Sequence, residues 1–200
     1  MAPKTPAASS PQGGAAGLGR PGAGLAPKTP AASSPQGGAF ALGRPGGEPP
    51  PALSWTWQRF AELGVDGVYD MLALRCRIFI LEQGPYLDPD GLDRQSWHLL
   101  GRDEAGALRA YLRVVDPGLK YAEPSIGRVV LDPALRGSGL ADQLLAQAVQ
   151  RAGTVWPGLG NRISAQAHLQ RFYGRHGFEP VGEAYLEDNI PHIQMWRPPA

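Results

Sequence analysis

The sequence reads Arg136-Gly137-Ser138-Gly139-Leu140-Ala141 between an apolar run, Val129-Val130-Leu131, and a helical pattern that extends from Asp142 to Arg151. The apolar run predicts a strand, so the two glycines fall in a turn that leads directly into a helix. The first backbone N–H groups of a helix have no partner within the helix, and together with the helix dipole they attract anions. The segment therefore predicts a phosphate-binding turn, with a simple strand-to-helix connection as the alternative.

The patterns on both sides of this turn predict alternating strands and helices. Trp55-Thr56-Trp57 indicates a first strand, and apolar residues at spacings of three and four predict a helix over Val65–Gln83. The later predicted elements are the strands Ser96–Arg102, Leu108–Val115 and Ser125–Leu131, the helix Asp142–Arg151, the strand Arg162–Ala167, the short helix His168–His176, and the strands Phe178–Val181 and Ile193–Arg197. This β-α-β-β-β-α-β-α-β-β order predicts an α/β domain with a mixed sheet.

The first 50 residues differ from the rest of the chain in composition. They contain 11 glycines and 10 prolines, and residues 2–22 recur as residues 26–46 with two mismatches. Two copies of a unit that is poor in apolar residues cannot form a packed core. We therefore predict that residues 1–50 are a disordered Pro/Gly-rich tail with one tandem duplication, followed by one folded domain.

Charge and composition argue against several classes of function. Residues 51–200 carry a formal net charge of −2 and contain no basic stripe, so we expect no nucleic-acid partner. No apolar run is long enough to span a membrane, and no signal-peptide pattern is present, so we expect a cytoplasmic protein without a membrane partner. Cys76 is the single cysteine and the histidines lack zinc-site spacing, so we expect no metal. The apolar helical pattern around Cys76 predicts a buried structural thiol.

Several ordered motifs give the glycine turn a specific context. The turn matches the Arg/Gln-x-x-Gly-x-Gly/Ala signature of the GNAT acyltransferases, and Phe172–Phe178 matches their later Phe-Tyr-x-x-x-Gly-Phe motif. Residues 53–198 further resemble the ElaA-type branch through the segments Leu74–Gln83, Ala165–Gln170 and Ile190–Ile193. The resemblance implies an α/β, GNAT-like domain over residues 53–198, in which helices flank a mixed, splayed central β-sheet.

The resemblance also implies that acetyl-coenzyme A (acetyl-CoA) is the cosubstrate and lies where the central strands separate. Its pantetheine arm would follow the strand backbone and its pyrophosphate would sit at the glycine turn, where glycines allow close approach. The residues expected to contact it are Arg128, Val129, Val130, Leu131, Arg136, Gly137, Ser138, Gly139, Leu140, Ala141 and Gln166. Gln166 stands where the family often has asparagine, so a polar residue at a strand end is its alternative role.

Acetyl transfer to an amine needs a base for the amine and an acid for the departing thiolate. By its place in the family motif, Tyr173 is the expected acid, and packing of the Phe172-Tyr173 pair on the sheet is the alternative. Glu82 is the first candidate for the base, with a helix-end charge as its alternative. His168 and His192 are the second candidates, and each is equally consistent with a structural histidine.

The sequence thus predicts an N-acetyltransferase that moves an acetyl group from acetyl-CoA to a primary amine of a small molecule or peptide. Transfer would be direct, because Cys76 has no recognisable histidine partner for covalent catalysis. An enzyme similar to acyl-homoserine lactone synthases and a non-catalytic acyl-CoA-binding module are the alternatives, and a homodimer is compatible with each. Two acidic runs are expected to attract cationic substrates, with ordinary solvated loops as the alternative; they are Glu82, Asp88, Asp90 and Asp93, and Glu183, Glu187 and Asp188.

Overall fold

The computed structural model describes residues 51–84 and 87–199, so the predicted disordered tail lies outside the described residues. The predicted order of strands and helices is confirmed in the described part. The elements are β1 (Ser54–Arg59), α1 (Gly64–Arg75), β2 (Ser96–Arg102), β3 (Leu108–Val115), β4 (Ser125–Leu131), α2 (Leu140–Val155), β5 (Asn161–Gln166), α3 (Gln170–Gly174), β6 (Glu179–Glu187) and β7 (Ile190–Arg197).

The strands form two antiparallel sheets that separate at the centre of the domain. The described residues form one sheet in the order β1-β2-β3-β4 and a second in the order β5-β7-β6. At the start of β5 the N–H of Arg162 donates to the carbonyl oxygen of Pro124, which directly precedes β4, at 3.1 Å. Further along, β4 and β5 belong to different sheets and line a common cavity. The predicted splayed sheet is therefore confirmed.

Helices α1 and α2 cover opposite faces of the first sheet. Leu99 and Leu112 pack in the same cluster as α2, whereas their neighbours Leu100 and Tyr111 pack with α1. Successive side chains of a strand point to opposite faces, which explains why adjacent residues join different clusters. Each leucine buried in this way stabilises the fold by about 1.5–3 kcal/mol. The two layers hold β4 rigidly beside the cavity.

Several predicted element boundaries are wrong, and two of the differences lie next to the site. The first helix ends at Arg75 and is followed by a π-turn over Cys76–Ile80, closed by a bond from the Leu81 N–H to the Cys76 carbonyl at 3.2 Å. A π-turn inserts an extra residue, so the helical spacing no longer describes side-chain directions there, and Cys76 is half-buried rather than buried. Strands β6 and β7 are also longer than predicted, because Asp188-Asn189 forms a tight two-residue turn with φ of 50° and 61°.

Alternating charges tie the segment before β2 to three other elements. The Arg75 guanidinium donates to Asp88 and to Asp93, in both cases at 2.8 Å. Asp88 and Asp93 are in turn bonded to further arginines on β4 and β3, which share a third carboxylate. We call this closed set the charge ring; in order around it the members are Arg75, Asp88, Arg128, Asp90, Arg113 and Asp93.

The charge ring overturns the expectation that this acidic run attracts cationic substrates. Asp88 is fully buried and Asp93 is 8% exposed, and each carboxylate already has arginine partners. Burial by itself raises the pKa of Asp93, but the bonds and charges of Arg75 and Arg113 outweigh it and lower that pKa. The run is acidic in sequence only, because its partners come from distant parts of the chain.

A buried histidine holds the backbone of Asp93, a member of the charge ring, in place. The Nε2–H of His98 donates to the Asp93 carbonyl at 2.9 Å, and Nδ1 accepts from the Tyr111 hydroxyl at 2.8 Å. Burial lowers the pKa of His98, so its imidazole is neutral, with one nitrogen donating and the other accepting. His98 is thus a structural histidine of the first sheet.

We predict that Asp93→Asn lowers the free energy of unfolding by about 3–5 kcal/mol, because it leaves buried arginines without a counter-charge. The charge ring contributes fully to the free energy of unfolding above about pH 5. This contribution declines as the pH falls below about 4, because the pKa of Asp93 in the folded protein is lower than its ordinary value. Urea unfolding at several pH values measures both effects. The control is Asp116→Asn, whose pair with Arg59 is partly exposed and contributes about 0–1 kcal/mol. Equal losses in the two variants would contradict the prediction.

Candidate active site

A cavity of about 120 Å³ opens where β4 and β5 separate. One wall is β4 from Ile126 to Val129, and Ser164 and Gln166 of β5 lie across from it. The volume holds several water molecules, which suits the reacting ends of two substrates rather than a whole nucleotide cosubstrate. The remaining wall contains ionisable side chains, among them Tyr173 and His192.

Tyr173 lines this cavity from α3. Its ring lies edge-on to Phe172 and Phe178, with centroid distances of 5.1 and 6.0 Å, and its residue is 7% exposed. Burial raises the pKa of the Tyr173 hydroxyl well above its ordinary value, so the group keeps its proton throughout the neutral range. Within the described part of the chain, this hydroxyl has no hydrogen-bond partner. It is therefore a protonated donor at the cavity wall.

His192 lines the same cavity from β7. Its Nδ1 lies 2.8 Å from the carbonyl oxygen of Ile190, and a carbonyl can only accept, so Nδ1 carries the proton. In the neutral form of the imidazole this tautomer presents Nε2 as an acceptor, which is the form that a base requires. His168 lies outside the cavity wall on the turn Ala167–Leu169; its side chain is exposed at the surface, and partial desolvation together with the neighbouring His192 lowers its pKa. Of the two predicted histidines, the structure brings only His192 to the cavity.

The glycine turn joins the end of β4 to α2 in an unusual backbone conformation. Gly137 and Gly139 have φ of 79° and 83°, and Gly139 is the residue that caps α2. Left-handed φ values favour glycine, and a Cβ at Gly139 would contact no heavy atom within 4 Å. The Ser138 hydroxyl donates to the Leu135 carbonyl at 2.6 Å and accepts from the Leu140 N–H at 3.4 Å, and the Asp142 N–H donates to the Gly139 carbonyl at 3.1 Å. Among the described residues, the N–H groups of Gly137, Gly139 and Ala141 have no such partner, so they are the ones left for an anion. The phosphate-binding turn stays a prediction.

The segment that follows α1 contacts each part of this site. Glu82 accepts a bond of 2.7 Å from Arg136 of the glycine turn, and the Gln83 side-chain oxygen accepts one of 3.0 Å from Gln166. Phe79 lies in the cavity wall. Glu82 is absent from the described cavity wall, so its position favours an electrostatic role beside Arg136 over proton transfer. Gln166 lines the cavity, as a cosubstrate contact would.

Some residues of the site were not predicted as a group. The Ser164 hydroxyl donates to the Glu187 carboxylate at 2.6 Å and lies 2.6 Å from the Tyr185 hydroxyl. Glu187 and Asp188 line the cavity, whereas Glu183 does not. The alternation of Tyr185 and Glu187 would have indicated a shared strand face, but β6 was expected to end at Val181. A predicted β6 that extended to Glu187 would have placed Tyr185 and Glu187 together at the site.

The described residues contain no group of three or more histidine, cysteine or acidic side chains that could hold a metal ion. Among the same residues, no helix is both long and apolar enough to cross a membrane.

A splayed sheet with a glycine turn at its open end defines an acyltransferase of the GNAT type, and the family comparison agrees. Residues 92–197, more than half of the chain, match the acetyltransferase (GNAT) domain. The chain belongs to the GNAT acyltransferase family, in its ElaA-type branch.

Similar proteins cover the whole described domain. The UPF0039 protein sll0451 of Synechocystis is 46% identical over 144 residues, which are 72% of this chain and 94% of that protein. The crystal structure of an acyl-CoA N-acyltransferase from Pseudomonas aeruginosa has a TM-score of 0.69 and 46% identity, and covers 72% of this chain and 99% of that one. Escherichia coli ElaA has a TM-score of 0.68 and 39% identity over 72% and 99% of the two chains.

We predict that Gly139→Ala destabilises the domain by about 1–2 kcal/mol, because alanine adopts a left-handed φ only at that cost. The matched control is Gly153→Ala within α2, where an added Cβ also contacts nothing within 4 Å but the backbone is helical. That change should stabilise by about 0.5–1 kcal/mol. Thermal and urea unfolding of the two variants measure the difference, and shifts of the same sign would contradict the assigned turn geometry.

Proposed function

We propose that this protein is an N-acetyltransferase that transfers the acetyl group of acetyl-CoA directly to a primary amine of a small molecule or peptide. Residues 53–198 are the catalytic domain. The observation that carries the proposal is the cavity between β4 and β5, whose wall combines a protonated Tyr173 with an accepting His192. The similar Pseudomonas aeruginosa protein, an acyl-CoA N-acyltransferase, supports the donor class.

The residues around the glycine turn suit a diphosphate. The N–H groups of Gly137, Gly139 and Ala141 have no hydrogen-bond partner among the described residues and lie at the N-terminal end of α2, where the helix dipole favours negative charge. Arg136 adds a cation there; one of its terminal nitrogens is paired with Glu82, while its buried Nε has no partner among the described residues. The pantetheine arm would follow Arg128–Leu131; the side chains of Val130 and Leu131 are fully buried, so the strand backbone would make its contacts.

The cosubstrate supplies an acetyl thioester, and the chain must manage two protons. An aliphatic amine has a pKa of about 10.4 and is almost wholly charged at neutral pH, so it needs a base before it can attack. His192 Nε2 accepts that proton. The Tyr173 hydroxyl donates to the sulfur as the carbon–sulfur bond breaks, and the apolar rings around Tyr173 raise the proton affinity of the sulfur as well. The nitrogen loses its second proton to solvent as the tetrahedral intermediate collapses, and Tyr173 regains its proton from solvent.

The other two candidates for the base have different positions. Glu82 holds Arg136 and would tune the charge at the phosphate site. Burial, and to a smaller extent the nearby His192, lowers the pKa of His168. We therefore propose His192 as the base, with His168 as an electrostatic neighbour.

The release of free coenzyme A thiol tests the proposed activity directly. Acetyl-CoA and the full-length protein are combined with polyamines, aminoglycosides, amino acids and peptides, and the thiol is followed with a chromogenic reagent. We expect amine-dependent thiol release and an acetylated amine in equal amounts. Binding of acetyl-CoA without turnover across the panel would instead indicate a non-catalytic acyl-CoA-binding module.

We predict that Tyr173→Phe lowers kcat by about 10²–10⁴, the usual contribution of a positioned acid, and leaves the KM for acetyl-CoA nearly unchanged. Steady-state kinetics on the most active amine provide the measurement. Tyr69→Phe is the control, because Tyr69 is 73% exposed on α1. Unchanged turnover in a folded Tyr173→Phe variant would remove the acid assignment.

We predict that His192→Gln lowers kcat/KM most strongly near neutral pH and that the deficit shrinks toward pH 10, where the free amine no longer needs a base. A profile of kcat/KM against pH checks this. His176→Gln is the control, since His176 pairs with Asp142 outside the cavity wall. A constant deficit at all pH values would assign His192 a purely structural role.

A further inference from the structure

Strand β4 carries a bulge at the cavity wall. Gly127 lies opposite Arg113 of β3 and Val130 lies opposite Tyr111, so the register shifts between these pairs. Within the bulge, Arg128 has a φ of 53°, in the left-handed region that residues other than glycine rarely adopt. This backbone belongs to the stretch along which the donor is proposed to lie.

The side chain of Arg128 is anchored at both ends of its guanidinium. Nε donates to an Asp88 side-chain oxygen at 2.8 Å, and Nη2 donates to the Asp88 carbonyl at 2.9 Å and to Asp90 at 3.3 Å. Asp88 is itself held by Arg75 at 2.8 Å, and Asp90 by Arg113. Arg75 and Arg113 therefore hold these acceptors in place independently of Arg128. The Arg128 side chain, bonded to fixed acceptors, can thus hold its own backbone in the left-handed conformation.

We propose that Arg128 is a positioning residue: the charge ring holds its backbone left-handed and thereby shapes the edge of β4 that receives the pantetheine arm of acyl-CoA. This inference rests on the proposed function. A backbone that already has its bound conformation loses less entropy on binding, which tightens the complex without any new contact. Without its anchors, an L-residue at this position would relax out of the left-handed region.

Two substitutions at Arg128 separate backbone shape from charge. Arg128→Ala and Arg128→Gly remove the same guanidinium contacts, but only glycine adopts a positive φ without strain. Titration calorimetry of coenzyme A with the full-length chain should give a Kd about tenfold weaker for Arg128→Ala and within about threefold of wild type for Arg128→Gly. Arg102→Ala, which breaks a pair with Asp70 outside the charge ring, is the stability control and should leave the Kd unchanged.

Each result bears on the proposal. Equal weakening in the alanine and glycine variants, or no weakening in either, would overturn it while wild-type binding keeps the proposed function intact. Failure of the wild-type chain to bind coenzyme A would overturn the proposed function first. Should Arg128→Ala not fold, Asp90→Asn is measured alone and combined with Arg128→Gly: weakening that disappears in the glycine background supports the proposal, and additive weakening overturns it.

Discussion

Buried charges that cannot be separated hold the segment before β2 in place. Arg75 leaves α1 and Arg113 leaves β3, and both meet Asp93 at 2.8 and 2.7 Å in an environment with almost no solvent. A buried charge without a partner is so unfavourable that these carboxylates have one arrangement available to them. Because Arg128 of β4 closes the same ring, the geometry of the segment and of the cavity wall are fixed together.

The chain after α1 extends this coupling to the rest of the site. The π-turn changes the direction of the segment, so that Glu82 reaches Arg136 and Gln83 reaches Gln166. An α-helix continued to Gln83 would place these side chains at spacings of about 100° per residue and direct them differently. A single local irregularity therefore connects the first helix to the glycine turn and to β5, two elements that are distant in sequence.

Much of this fold could be predicted because its signals are local. Strand-like runs of residues defined β2, β3 and β4 to the residue, and the glycines at 137 and 139 indicated a turn before α2, where the structure has positive φ values. The charge ring could not be predicted, since the pairing of Asp88 with Arg128 spans 40 residues and depends on tertiary packing. For the same reason the sequence did not show that arginines neutralise the acidic run before β2. The π-turn at Cys76 could not be predicted either, because the apolar spacing of three and four continues through it.

The environments of Tyr173 and His192 suit them to different halves of the proposed proton transfers. Tyr173 is enclosed by aromatic rings that stabilise its neutral form, so it is a poor base and keeps its proton until negative charge appears beside it. His192 is held by a backbone carbonyl that stabilises one neutral tautomer, so its free nitrogen can accept a proton repeatedly. Exchanging the two side chains would bury the imidazole among apolar rings, where its charged form is disfavoured, and would leave the phenol without the apolar enclosure that keeps it protonated. The proposed placement of the acid on α3 and the base on β7 thus follows from the aromatic rings that enclose one side chain and the backbone carbonyl that holds the other.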